Sequence, residues 1–196
     1  MKISRMAVLS IAVLIIAWGV FYFYPSGTIN SIVAPANSGE LENLLKTFGF
    51  YEPTFTPQLA EIVLFDLNQK PVKLTDYKGA IVFLNFWATW CPPCREEMPS
   101  MQKLYNRYKT EPFKMIAVSL KESPETVEDF FKENRLSFSA LLDPWGEAGK
   151  KFGLNSIPTT FILDKNGNII ARALGPRDWG GRISQTIFHH LVKISS

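Results

Sequence analysis

The sequence predicts an α/β domain carried behind a single transmembrane helix, and three observations support this. From about Phe55 onward, short β-rich apolar runs alternate with segments of helical periodicity, the pattern of an α/β fold. Residues 6–24, MAVLSIAVLIIAWGVFYFY, hold no charge. The only two cysteines, Cys91 and Cys94, fall where a strand pattern gives way to a helical one. The 196 residues accommodate one domain with a sizeable core and about 50 residues besides.

Taken in order, residues 1–5 are a short N-terminus carrying Lys2 and Arg5, and 6–24 form the predicted transmembrane anchor. As a helix that span measures about 28 Å, close to the thickness of a bilayer's hydrocarbon core. The two basic residues place the N-terminus in the cytosol, and Trp18, Tyr22 and Tyr24 suit the far interface, leaving everything beyond outside. A cleaved signal peptide is the competing reading, resting on Ala34-Pro35-Ala36. The long apolar run and the proline at the middle position fit it poorly.

Residues 25–54 are a tether rich in Ser, Gly, Asn and Pro, closing with a short amphipathic helix. Asn37 and Glu40 have the spacing of its cap, and Leu41, Leu44, Leu45 and Phe48 share its apolar face, which is expected to pack on the domain or a partner. The domain itself, 55–196, is expected to open with a hairpin of 62–67 and 71–74 around Asn68-Gln69, lacking the usual turn glycine. Next come a buried strand at 81–87, a helix from the cysteines to Tyr108, a strand at 113–120 and a helix at 124–135. A strand at 138–142, a short helix at 146–152, a hairpin of 159–163 and 169–173, and a closing helix at 178–193 complete it.

The formal charge is +3, but beyond Lys2 and Arg5 only 19 basic residues face 18 acidic ones. That balance offers no nucleic-acid surface. The charged run 121–133 is expected to be a solvated helix face. A disulfide across three positions closes almost no loop, so stabilisation explains the cysteine pair poorly and reversible redox chemistry explains it better. Two cysteines cannot make a four-cysteine zinc site, and His189 and His190 lie far away, on the expected surface of the last helix. No metal or other cofactor is expected beyond the redox-active pair.

A free cysteine, with a pKa of about 8.5, is mostly thiol at neutral pH, and the thiolate is the nucleophile. At the start of a helix, Cys91 would meet unpaired N–H groups and the positive end of the helix dipole, both favouring the anion. Pro92 and Pro93 occupy early positions whose missing N–H groups have no intrahelical partner, and they stiffen the link between the sulfurs. Cys94, one turn further in, should be less exposed and suits the resolving role. Trp87 and Trp90 are expected to pack around the site, with Trp90 also available to substrate.

LNFWATWCPPCREEMP and GLNSIPTTFILDKNGNII together resemble the active-site segment and second landmark of the thioredoxin superfamily, and most closely its membrane-anchored extracytoplasmic branch containing TlpA and ResA proteins. The resemblance spans about Phe55 to Lys193. It implies a thioredoxin-like fold with a central mixed β-sheet flanked by helices, an N-terminal β-hairpin extension, Cys91 as attacking thiol and Cys94 as resolving thiol. It also implies a cis Ile157-Pro158 peptide facing the disulfide, where the backbone of Ile157 would pair with an extended substrate. Position alone leaves cis and trans open at Pro158. Asn85 stands where ordinary thioredoxins carry a buried acid, and Glu97 matches a glutamate of the anchored branch. The resemblance therefore suggests Glu97 as the base for Cys94, against the plainer reading of a solvated glutamate in the helix's first turn, with Glu96 facing solvent.

The leading expected function is reduction of disulfides in exported proteins, apocytochrome c among them, with electrons from a membrane thiol donor. A peroxiredoxin-like peroxidase is the alternative, although no P-x-x-x-T-x-x-C precedes either cysteine. A dithiol oxidase differs only in potential, and a Sco-like copper site lacks its cysteine spacing and histidine.

Overall fold

The computed structural model describes residues 38–52, 57–59 and 62–194. The predicted anchor, the first part of the tether and the Asn37 cap lie outside them. No helix among the described residues is long and apolar enough to cross a membrane.

Helix α1, Ser38–Phe48, forms on the predicted stripe, and Leu41, Leu44, Leu45 and Phe48 pack against the domain core. Gly49 ends it at φ 85°, a left-handed conformation in which glycine carries no side-chain penalty. A Cβ there would also come within 2.6 Å of the Arg177 guanidinium. Strand β1, Phe50–Tyr51, follows directly.

The hairpin appears as β2, Val63–Phe65, and β3, Pro71–Lys73, with Phe65 paired to Pro71. Its strands are shorter than predicted. Without a glycine, Gln69 takes φ 62°, and the Asp66 carboxylate accepts from the backbone N–H groups of Asn68 and Lys70 at 2.9 and 2.8 Å. The remaining strands are β4, Ile81–Trp87; β5, Phe113–Leu120; β6, Ser139–Asp143; β7, Thr159–Leu163; and β8, Ile169–Leu174. They join one mixed sheet in the order β1-β8-β7-β4-β5-β6-β2-β3. β4 runs parallel to β5 and antiparallel to β7.

Every residue of β4 is buried, as its uninterrupted IVFLNFW requires. Ile81, Phe83 and Trp87 face one core with helix α2, Pro92–Tyr108, and α3, Pro124–Glu133. Val82, Leu84 and Phe86 face the other, with the hairpin and the short α4, Glu147–Lys151. Asn85 lies on the first face, so a polar side chain is fixed inside the layer beneath α2.

Helix α3 ends two residues early because Arg135 adopts φ 54°. The last helix departs further from expectation. α5 covers only Arg182–His189 and continues as a wider turn, His190–Ile194. The first four residues of the predicted helix form a loop instead, because Trp179 is fully buried, with its indole N–H donating to Glu97 and its backbone N–H to the Ser100 hydroxyl. His189 and His190 are half-buried rather than surface residues.

Candidate active site

β4 delivers the chain to Ala88-Thr89-Trp90, and Cys91 then caps α2. The backbone N–H of Cys94, one of the first-turn donors without an intrahelical partner, points at the Cys91 sulfur at 3.3 Å. Cys91 and Cys94 are joined in a disulfide with Cα atoms 5.3 Å apart. Cys94 is fully buried and Cys91 retains 4% exposure, the predicted order. Pro92 is exposed and Pro93 half-buried in the first turn, while Trp90 stands 68% exposed beside the pair.

Across from the sulfurs, the Ile157-Pro158 peptide is cis. The Ile157 carbonyl oxygen lies 3.9 Å from the Cys91 sulfur, so the sequence's second landmark meets the first. The loop is held on both sides. The Thr159 hydroxyl donates to the Ser156 carbonyl at 2.7 Å, and the Gly175 N–H donates to the Pro158 carbonyl at 2.8 Å.

Glu97 follows Cys94 by three residues on the same face of α2, and at 2% exposure it is buried rather than solvated. Its Oε1 accepts from the Asn85 amide at 2.9 Å, and that amide also donates to Thr160 Oγ1 at 2.9 Å. Its Oε2 accepts from Trp179 Nε1 at 2.8 Å and from the Arg177 backbone N–H at 3.1 Å. Burial pushes the carboxyl up from 4.5 to about 7, against these hydrogen bonds, of which that from Trp179 is the strongest in favouring the charged form. A hollow of about 360 Å³ lined by Glu96, Ser100, Pro176 and Arg177 brings solvent to its edge. Glu96 itself is exposed, as expected.

The loop above Glu97 is tied to the start of the domain. Trp179 packs against Phe48, Phe50 and Phe83, with ring centroids 5.2, 5.9 and 4.7 Å away, and Arg177 Nε donates to the Phe48 carbonyl at 3.0 Å. Trp179→Phe keeps an aromatic ring in that packing while deleting one donor to the carboxylate. The Glu97 pKa should therefore rise further in this variant, seen as an upward displacement of its carboxyl titration by NMR.

Trp179, Arg177 and Thr160 join the site without any signal in the sequence motifs. The expected helix of 178–193 takes in Asp178-Trp179-Gly180-Gly181, although its paired glycines, with Gly175-Pro176 just before them, are loop punctuation. Glu122 belongs to the run expected to be a solvated face, yet its carboxylate accepts from the backbone N–H and hydroxyl of Thr89 and the hydroxyl of Ser119. It clamps the loop that presents Trp90 and Cys91 to the end of β5. The other charged residues of that run are exposed. Trp87 is fully buried against Phe130 and Phe131, a packing residue. No group of three or more metal-ligating side chains is gathered among the described residues.

A mixed sheet whose central strand leads into a cysteine pair at a helix start, faced by a cis-proline strand, defines a thioredoxin-like protein. The chain belongs to the AhpC/TSA family, whose model it matches over residues 53–172. Among similar curated proteins, thiol-disulfide oxidoreductase ResA of Bacillus thuringiensis subsp. konkukian is 42% identical over 113 residues, covering 58% of this chain and 65% of ResA. ResA of Geobacillus thermodenitrificans is 41% identical over 109 residues, covering 56% and 63%. The chain thus matches slightly less than two thirds of the length of these relatives. Among solved structures, StoA of Bacillus subtilis is similar with a TM-score of 0.51 at 33% identity, over 59% of this chain and 87% of StoA. A thioredoxin family thiol:disulfide interchange protein of Chlorobium tepidum is similar with a TM-score of 0.57 at 27% identity, over 70% and 97%.

Proposed function

We propose that this chain is a membrane-anchored thiol-disulfide oxidoreductase whose domain works on the extracytoplasmic side, reducing disulfides of exported proteins. The observation that carries the proposal is the Cys91-Cys94 disulfide at the start of α2, with the Cys94 N–H directed at the Cys91 sulfur and the Ile157 backbone beside it. The similarity to ResA and StoA supports the same chemistry.

In the reduced protein, the Cys91 thiolate attacks one sulfur of a substrate disulfide. A mixed disulfide forms, and the other substrate sulfur leaves as a thiolate. Cys94 passes its proton to Glu97 and attacks the Cys91 sulfur, which releases the second substrate thiolate and closes the Cys91-Cys94 bond. A membrane dithiol donor then reduces that bond, two electrons per cycle. Pro158 keeps an N–H away from the sulfurs, and Ile157, Trp90, Pro92 and Pro93 form the surface that substrate meets. Tethering through residues 6–24 would raise the effective concentration of the domain near its donor. Apocytochrome c, with its cysteine pair, is the substrate proposed first, and no cofactor is required beyond the disulfide.

The test is the full-length Cys94→Ser chain expressed in cells. It should accumulate exported proteins joined through Cys91 and released by reductant. Recovery of apocytochrome c would identify the proposed substrate, and absence of any mixed disulfide would overturn the mechanism. Peroxide consumption by the purified wild type, abolished in Cys91→Ser, would replace it with the peroxidase reading.

A further inference from the structure

Beside the disulfide lies a cleft of about 580 Å³ that extends past Trp90 and Ile157 to residues the chemistry above does not use. Trp90 and Ile157 form its wall, and these two residues also flank Cys91. Leu120 and Leu154 supply the rest of its apolar surface, and Lys121 and Lys150 are exposed on its rim. No carboxylate lines it. Of the nearby acids, Glu122 is engaged by Thr89 and Ser119, Asp143 by the backbone N–H groups of Ala148 and Gly149 at 3.2 and 2.8 Å, and Glu147 is exposed outside the cleft's lining. Neither lysine forms an ion pair among the described residues.

The seat of Lys121 is specific. Its backbone adopts φ 58°, uncommon for a residue with a side chain, and its stem crosses Gly146, itself at φ 70°. A Cβ on Gly146 would come within 2.8 Å of that stem, so glycine there makes room for the lysine. An apolar hollow with two unpaired cations on its rim is complementary to an apolar side chain accompanied by a carboxylate.

We propose that this cleft receives the segment of a polypeptide substrate flanking its disulfide-bonded cysteine, and that it selects an apolar residue followed by an acidic one. The inference rests on the thiol-disulfide reading and specifies its substrate class. Because Trp90 and Ile157 belong both to the cleft and to the surroundings of Cys91, one extended segment can fill the first while its sulfur reaches the second.

The experiment compares two peptides, each with one cysteine in a disulfide with a reporter thiol, flanked by Leu-Glu in one and Leu-Lys in the other. They are reduced by the full-length dithiol protein in neutral detergent. The acidic peptide should be preferred in kcat/KM by about tenfold at low salt, with the preference shrinking as salt screens the rim charges. In Lys121→Glu/Lys150→Glu the ratio should invert, and in Lys121→Gln/Lys150→Gln it should approach one. Because each ratio is taken within one preparation, a general loss of activity cancels. Equal rates for the two peptides in the wild type, or a ratio unchanged by charge reversal, would overturn the proposal. Neutral hydroxyethyl disulfide separates the two levels: a wild type that exchanges with it but ignores peptide charge fails only as to the cleft, whereas one with no exchange at all fails as an oxidoreductase.

Discussion

Cys91→Ser should reduce disulfide exchange to the uncatalysed background while leaving the domain folded. The hydroxyl cannot replace a thiolate as nucleophile toward sulfur, and Cys94, fully buried, offers no second point of attack. Folding should survive because Cys91 is the N-cap of α2, a position that serine fills at least as well, with its oxygen accepting from the Cys94 N–H in place of sulfur. Losing the disulfide removes a link across only three positions and costs little unfolded-state entropy. Reduction of a reporter peptide, followed beside far-UV circular dichroism and urea unfolding, checks both halves. A variant that unfolds would make the bond a structural staple, and one that keeps its activity would remove Cys91 from the chemistry.

The sequence made the sulfur chemistry legible because its parts are local. Strand, cysteine pair and helix follow one another within about thirty residues, and the buried β4 and the start of α2 fall where periodicity and the two prolines put them. Pro158 could be placed opposite only through its resemblance to a known landmark, since it is distant in sequence from Cys91. The environment of Glu97 was less accessible. Its partners Asn85, Arg177 and Trp179 come from a strand and a loop up to 82 residues away, and no pattern within a helix-length window brings them together. The same cause explains the misplaced start of α5, because Trp179 is drawn out of helical register by a buried carboxylate. Glu122 was hidden differently, as one engaged acid at the edge of a run whose other charges face water.

Glu97→Gln should remove a pH dependence that the wild type shows in both stability and turnover. In the folded protein the carboxyl titrates at about 7, above its ordinary value of 4.5, chiefly because it is buried. Between those values the native state holds a proton that the unfolded chain has released, so stability is full below 4.5 and falls as pH rises through 7. The gap corresponds to roughly 3 kcal/mol, to be read as the difference in urea unfolding free energy between acidic and mildly alkaline buffer. Glutamine, neutral throughout, has one acceptor oxygen that can keep the bonds from Trp179 and Arg177, while its NH2 can donate to the Asn85 oxygen once that amide turns over. It should flatten that slope and leave the variant more stable than wild type at alkaline pH. Turnover should move the opposite way. Glu97 can accept the Cys94 proton only when ionised, so decay of a preformed mixed disulfide should accelerate through pH 7 in the wild type. In Glu97→Gln it should lose that inflection and slow about a hundredfold at pH 8, within the range of general base catalysis. A flattened stability profile with an unchanged decay profile would make Glu97 the anchor of the Trp179 loop and nothing more. Loss of both features is expected only if the same buried carboxylate that destabilises the alkaline protein also serves its resolving cysteine.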